Sequence, residues 1–420
     1  MSSYLLPEFI GITTAGDRNG ISSSYNLVSE LYGILTPTIY CALSGSVPLA
    51  EDVWDEYAAA ENSVYIRYHS ELPDGIISLF AGMSMGEEEP AVQFNTNVLE
   101  IFLLPYTGGS GTSETTLVTR SADGEVQKYI VPSDRSSVSV NEMERFVRSY
   151  ASRMIPFIFN EGRYETITAT EPLFTEAVTT RNILMQKAAF IQNSPNEREA
   201  LLRIFGFNPD KLLSVHEEDS GAASYYDTQG ILYLRDSAFE YVRSYADSGM
   251  EVSDILGGVS SGTLAEYVRA AVLLFQSIRN IDKNYAGGDA DIVLKSASSE
   301  NGEVTLQFMY TVDNIRIAEQ KAAYEITFSA GNVLYAELYT IAVRILAERE
   351  SSYAEWWFVS MIDEPSRNVR LVYPGDYAAE YVSAEWAAEC LRTDVTEPDL
   401  NISPDEIAEP DTEEEGDHGK

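Results

Sequence analysis

The chain has 420 residues, of which 45% are hydrophobic and 11% aromatic, with 26 tyrosines. That is more than a disordered chain of similar charge excess carries, so most of it is expected to fold, and its length favours two or three domains over one core. Against 28 Lys plus Arg stand 66 Asp plus Glu, a formal net charge of -38, which repels phosphate backbones and anionic headgroups and argues against nucleic acid or a lipid surface as partner.

The first element predicted is an amphipathic helix over "SYNLVSELYGILTPTIYCAL", where Leu27, Leu31 and Leu35 recur at helical spacing and Pro37 disturbs the pattern. A strand follows in "NSVYIRYHSELPDGIISLF", with Val64 and Ile66 set among Tyr65 and Tyr68. It runs to a Pro-Asp-Gly corner with a further apolar strand behind it. "VLEIFLLPY" reads as a strand and "TTLVTRSADGEVQKYIV" as a hairpin turning at Asp123-Gly124. "VNEMERFVRSYASRMIPFIF" predicts a helix with Met143, Phe146, Val147, Tyr150 and Met154 on one face, and "NEREALLRIFGF" a second one ending near Gly206 and Pro209.

Beyond that helix, "KLLSVHEED" and "SYYDTQGILYLRD" predict strands, so the order is helix, strand, strand. The order recurs: Thr263 opens the helix "TLAEYVRAAVLLFQSI", and "DIVLKSASSENGEVTLQFMYTV" behind it turns at Asn301-Gly302. "YEITFSAGNVLYAELYTI" then alternates Tyr324, Ile326 and Phe328 ahead of an Ala-Gly-Asn corner. Helices laid on antiparallel meanders predict an α+β protein, since such short corners leave no room for parallel crossovers. The expected division is an N-terminal α+β domain over residues 1–190, C-terminal α+β modules over 191–392, and a disordered acidic tail over 393–420. That tail holds 11 acids against one lysine, a charge of -10 that leaves -28 on the rest. A halophile's acidic surface competes as an account of the charge, because only 7 residues are lysine, but it ranks second to a charge partly concentrated in one tail.

Each candidate for chemistry has a plainer reading. "GVSSG", Gly258 to Gly262, matches G-x-S-x-G around Ser260, but that fold needs a buried strand before the serine and a histidine after it. "MEVSDILG" supplies no such strand, and the one later histidine is His418 in the tail, so Ser260 reads as loop and helix cap. His69, His216 and His418 are the only imidazoles and none pairs at helical spacing for zinc. "DKNYAGGDADI" places Asp282, Asn284, Asp289 and Asp291 like a calcium loop, but Ala286 stands at a ligand position and no closing Glu appears. The glycine-rich "YTGGSGTSE" lacks the lysine of a phosphate loop. Glu217, Glu218 and Asp219 could do acid and base work in a cleft, yet three in a row beside a turn read as surface. Cys41 and Cys390 read as two isolated buried thiols. The expectation is therefore an inert acidic exterior, with no catalytic residue, no metal and no cofactor. No run of residues has the apolar length of a membrane span, and the first twenty residues lack the regions of a signal peptide.

In layout the chain resembles the YycH/YycI family, extracytoplasmic regulators of a two-component histidine kinase that senses the cell wall of Gram-positive bacteria. The likeness lies in the helix leading to "DVWDEY" with Trp54, in Leu72-Pro73 within "VYIRYHSELPDGIISLF", and in "SYYDTQGILYL", "YEITFSAGNVLYAELYT" and "YAEWWFVSMID", covering residues 20 to 390. The resemblance implies a non-enzymatic protein binding the kinase's sensor portion and a sister regulatory protein at the outer face of the membrane. It also implies a transmembrane anchor preceding Met1; without one the alternative location is cytoplasmic. A second expectation, of a different class, is an extracytoplasmic protein that binds a small molecule or cell-wall fragment in a groove lined by Trp356, Trp357 and Trp386.

Overall fold

The fold was analysed in a computed structural model. It describes residues 4–22, 24–45, 48–50, 54–86, 96–106, 114–132, 138–168, 171–187, 195–216, 222–235, 237–244, 249–318, 321–351, 358–359, 362, 366–375 and 381–390.

A nine-stranded sheet takes up the first part of the chain. Its strands are β1 (Phe9–Thr14), β2 (Asp17–Ile21), β3 (Leu49–Ala50), β4 (Ser63–Pro73), β5 (Asn97–Leu104), β6 (Glu114–Arg120), β7 (Val126–Pro132), β8 (Ile155–Phe159) and β9 (Pro172–Phe174). They run in the order β3-β7-β6-β5-β4-β1-β2-β8-β9 and every pairing is antiparallel. Helix α1 (Tyr25–Gly45) carries Pro37 within it and packs on α3 (Asp74–Met85) and β7, while the short α2 (Trp54–Ala58) lies between the two helices in the chain. Its buried stripe is Leu27, Val28, Leu31, Tyr32, Leu35, Ile39 and Ala42. The window Tyr25–Ser44 is long and apolar enough to cross a membrane, and 50% of it is buried in the fold. This corrects the expectation that no run has the apolar length of a span: Ser, Thr and Asn residues interrupt the run without lowering its mean hydropathy below that of a span.

Two predicted elements differ. The apolar run "GIISLF" is not a strand but the body of α3, with Ile76, Ile77, Leu79 and Phe80 all buried. A helix enclosed on all sides shows the same unbroken apolarity as a buried strand, so periodicity cannot separate the two. The helix predicted through Phe159 stops at Tyr150 as α4 (Val140–Tyr150), opened by a Ser139–Glu142 capping box. One 3-10 turn follows, then β8, since Pro156 has no N–H to donate and its ring crowds the preceding turn of a continuing helix.

The second part is a twelve-stranded sheet with a three-stranded companion. Its elements are β10 (Thr179–Lys187), α5 (Pro195–Ile204), β11 (Leu213–His216), β12 (Ala223–Tyr226), β13 (Gly230–Arg235), β14 (Ala238–Arg243), β15 (Met250–Glu251), α6 (Val252–Leu256) and α7 (Leu264–Ile281). After these come β16 (Gly287–Gly288), β17 (Asp291–Glu300), β18 (Glu303–Val312), β19 (Ile315–Ala318), β20 (Tyr324–Ser329), β21 (Asn332–Tyr339), β22 (Ile341–Ser351), β23 (Ser366–Pro374) and β24 (Glu385–Cys390). The large sheet runs β11-β12-β13-β14-β21-β20-β18-β19-β23-β24, with β15 on β21 and β17 on β18, while β10, β22 and β16 form the companion. The short parallel contacts β16 with β22 and β19 with β23 are exceptions in an otherwise antiparallel, α+β architecture. The hairpin corners fall where predicted, with Asn301 and Gly302 at φ 51° and 80° and Ala330 and Gly331 at 46° and 79°.

Helix α7 explains why this sheet needs a lid. Thr263 and Glu266 form its capping box. Its buried face, including Val268, Ala271, Phe275 and Ile278, lies over the alternating strands, with Tyr267 stacked on Phe328 at 4.7 Å and Phe275 against Tyr324 at 5.8 Å. Strand β10 precedes residue 190 yet pairs with β22 from far beyond it, so hydrogen bonding crosses the expected domain boundary. The acidic tail lies outside the described residues.

Candidate functional site

Strand β4 is buried on both faces, and this creates the site. One face sends Val64, Ile66 and Tyr68 toward the helices, where the Tyr68 and Tyr32 hydroxyls lie 2.9 Å apart. The alternate face carries Tyr65, Arg67 and His69, of which Arg67 and His69 are only 4% and 3% exposed. Buried charge must be answered from within the protein, and the answer begins in the sheet itself. Arg67 stands opposite Glu100 on β5, and Glu100 opposite Arg120 on β6, a row of alternating sign across three strands. Glu100 accepts from Arg120 Nε at 2.6 Å and from the Tyr65 hydroxyl, while the Arg120 guanidinium lies 4.5 Å over the Trp54 ring.

The remaining partners come from distant parts of the chain. Arg67 Nη1 donates to Glu171, just ahead of β9, and Nη2 donates to the Val369 carbonyl on β23 at 3.1 Å. Glu8, ahead of β1, lies 3.7 Å from Arg67 and 3.4 Å from Arg370 of β23. Arg370 also donates to the His69 carbonyl at 2.7 Å. His69 Nε2 is 3.3 Å from Asn314 Oδ1, and the Asn314 amide donates to the Pro7 carbonyl at 2.8 Å. The N-terminal segment, the β4 face, the β18–β19 turn and β23 thus meet at one point, where the two large sheets abut.

The electrostatics follow from burial. Burial pushes the Glu8 carboxyl up, but the guanidiniums of Arg370 and Arg67 outweigh it and hold Glu8 below the usual carboxylate range. Burial dominates at Glu171, whose pKa is raised although Arg67 opposes the shift. Burial lowers His69 to about 4 against the pull of Glu8 and Asn314, so its imidazole is neutral at physiological pH. The cavity among Glu8, Arg67, Arg370, Phe174, Asn314 and Trp386 holds about 10 Å³, room for one water and not for a substrate. The cluster is chemically a charge-neutral clamp.

This corrects the expectation of an inert acidic exterior: Glu8, Glu100 and Glu171 are buried at 5%, 3% and 2% exposure. Apart from His69, weighed only as a zinc ligand, neither these carboxylates nor their arginine partners stood out as functional in the sequence. The available signal was a charge inside an unbroken apolar strand, Arg67 in "VYIRYHSEL" and Glu100 in "VLEIFLL".

The residues singled out from sequence do not converge. Ser260 donates to Glu266 at 3.0 Å inside the cap of α7. Asp282 caps Asn284, Asp289 binds Lys283 at 2.9 Å and the Ile345 amide at 3.2 Å, and Asp291 faces Arg279 at 3.9 Å. Among the described residues no group of three His, Cys, Asp or Glu is placed to hold a metal. Cys41 is half-buried on α1, Cys390 ends β24, and His216 ends β11. Trp386 packs on Phe174 at 6.3 Å and borders the small cavity. Trp356, Trp357, His418, Glu217, Glu218, Asp219 and most of the glycine-rich "YTGGSGTSE" lie outside the described residues.

A wider polar cleft of about 500 Å³ shares Ile315 with the sheet junction and is bordered by Asn26, Arg153, Glu176, Arg181 and Asp313. Its charges are largely engaged: Arg181 faces Asp313 at 3.4 Å, and Arg153 donates to Ser24 at 3.1 Å.

No protein-family model and no curated protein matches the chain. Among solved structures it is similar to an uncharacterized protein from Eubacterium rectale ATCC 33656, at 13% identity and a TM-score of 0.33, over 50% of this chain and 77% of that one.

Proposed function

We propose that the chain is a non-enzymatic regulatory protein that acts by contact, an extracytoplasmic regulator of the YycH/YycI kind that sets the activity of an envelope two-component sensor histidine kinase, together with a sister protein. The observation that carries this reading is the clamp. Carboxylates do converge with bases in the interior, but they bind one another across four chain regions and leave space for a single water. Their work is to fix one large sheet against the other, and a fixed composite surface is what a docking protein needs. Among the described residues β24 ends the twelve-stranded sheet with β23 as its partner, and Tyr381 beside it is 50% exposed. An end strand of this kind offers backbone groups for strand addition, and a tyrosine offers contact area at small entropic cost.

The kinase itself enters through the resemblance. The test is titration of the purified chain against the purified sensor domain of the source organism's envelope histidine kinase, together with autophosphorylation of that kinase in vesicles. Saturable binding and altered phosphorylation are expected. Absence of both at about 100 µM, weaker than the usual range of signalling contacts, rejects the kinase.

One observation favours the binding-protein alternative: a polar cleft of about 500 Å³ falls within the size range of small-molecule sites. A thermal shift with muropeptides, abolished by Arg153→Gln, would favour that alternative.

A further inference from the structure

A second recess carries the opposite sign from the rest of the molecule. It holds about 320 Å³ between β17, β18, β19 and the turn into β20, and three cations border it: Lys295, Arg316 and Lys321. Its apolar wall is made by Met309, Ile317 and Ala323. No carboxylate is among the described residues that line it. In a chain of net charge -38 with only 7 lysines, two of those lysines and an arginine are gathered at one small hollow.

The sheet fixes the backbone at two of the three cations. Lys295 lies where the β17–β18 register shifts, between Leu294 and Ser296, and its own carbonyl accepts from Ser70 of β4. Arg316 pairs with Thr311 across the β18–β19 turn and with Val372 on β23. Lys321 is exposed, and its ammonium rests 5.2 Å from the Tyr339 ring, an arrangement that keeps it charged and near the recess. Tyr339 and Glu337 also raise the Lys321 pKa. Among the described residues, opposing fields reach the recess from outside its lining, from Glu8 toward Arg316 and from Glu337 toward Lys321.

We infer that this recess is a binding site for a small organic dianion, of the phosphate-ester or dicarboxylate kind, whose short apolar part lies on Met309 and Ile317. Lysines from two separate elements, with Arg316 between them, border one hollow, a setting that suits a doubly charged ligand. The volume lies at the low end of ligand sites, which excludes a polymer. The acidic surface elsewhere repels anions, so recognition depends on short-range contact with these three side chains. The inference stands apart from the docking function proposed above.

The test is calorimetric titration and thermal shift of the full chain at constant ionic strength with phenyl phosphate, inorganic phosphate and succinate. The comparison proteins are Lys295→Gln, Lys321→Gln and the double variant, with Lys211→Gln as an exposed control. Saturable binding is expected, weakened about 10-fold or more in the double variant and unchanged in the control. Preference for phenyl phosphate assigns the phosphate-ester class and preference for succinate the dicarboxylate class. No saturable effect of any probe up to about 20 mM, or equal binding by the double variant, overturns the inference. Should Lys295→Gln fail to fold, the exposed Lys321→Gln decides alone, with unaltered affinity counting against the site.

Discussion

Replacing Arg67 by Met tests the clamp directly, because Met keeps most of the side-chain volume and removes only the charge and its donors. Glu8 keeps Arg370 at 3.4 Å, so the carboxylate stranded by the change is Glu171, 2% exposed. Breaking a buried pair from one side costs about 3 to 5 kcal/mol, and the Val369 carbonyl loses a donor worth about 1 kcal/mol, so a loss of about 5 kcal/mol is expected. The Arg67→Met/Glu171→Gln protein, with neither charge, should recover about half of that. The sign of the pH dependence is also set. A carboxyl raised by burial binds a proton in the folded state before it does in the unfolded one, so the Arg67→Met deficit should shrink as pH falls from 8 to 5. Urea unfolding followed by tryptophan fluorescence at the two pH values measures all of this. A deficit below about 1 kcal/mol, or a double variant no more stable than the single, would refute the clamp as the element joining the sheets.

Other consequences are separable from that one. His69 titrates at about 4 in the fold against about 6.5 in the unfolded chain, so its contribution is complete above pH 6.5 and lost on acidification, about 2 kcal/mol by pH 5. His69→Gln should flatten the stability profile between pH 6.5 and 4.5, and parallel profiles for the two proteins would reject the assignment. Gly288 sits at φ 61°, with Val343 backbone atoms where a Cβ would stand. Gly288→Ala should therefore separate β16 from β22 and cost about 2 kcal/mol or more in a denaturant titration, whereas a neutral change would contradict the register. Because acidic repulsion at the surface is screened as the Debye length falls from about 30 Å at 0.01 M salt to about 8 Å at 0.15 M, thermal stability should rise with NaCl and level off near there. Gains continuing into molar salt would instead favour halophilic adaptation.

The sheets were legible wherever a turn has its own chemistry. Asn301-Gly302, Asp123-Gly124 and Ala330-Gly331 each require positive φ on at least one residue, and alternation such as Tyr324, Ile326 and Phe328 then fixes which face is buried. Local rules failed where enclosure is complete. "GIISLF" is apolar throughout because α3 is covered on all sides, not because it is a strand, and β8 could not be told from the end of α4 without giving Pro156 its due weight. The joining of β10 to β22 leaves no local trace at all, as the partners are more than 150 residues apart and neither carries a signal for the other.

The clamp was half legible, and the reason lies in how charge is distributed over a strand. Charges on exposed strands fall at alternate positions and interrupt apolarity regularly; Arg67 instead interrupts a run whose neighbours on either side, Ile66 and Tyr68, are fully buried. Such a residue has no solvent-facing side to turn to, so its presence already demands an anion somewhere in the fold. What sequence could not supply is which of 66 acids answers it. Glu100 is found by register alone, but Glu8 and Glu171 reach Arg67 only after β1, β9 and β23 have assembled around β4. The same dependence runs in reverse: until Arg67 and Arg370 are placed, the field of Glu100 on Glu171 is unanswered and Glu8 is buried without its guanidiniums, so the interior charge favours the assembled arrangement of the two sheets over any in which β23 is docked elsewhere.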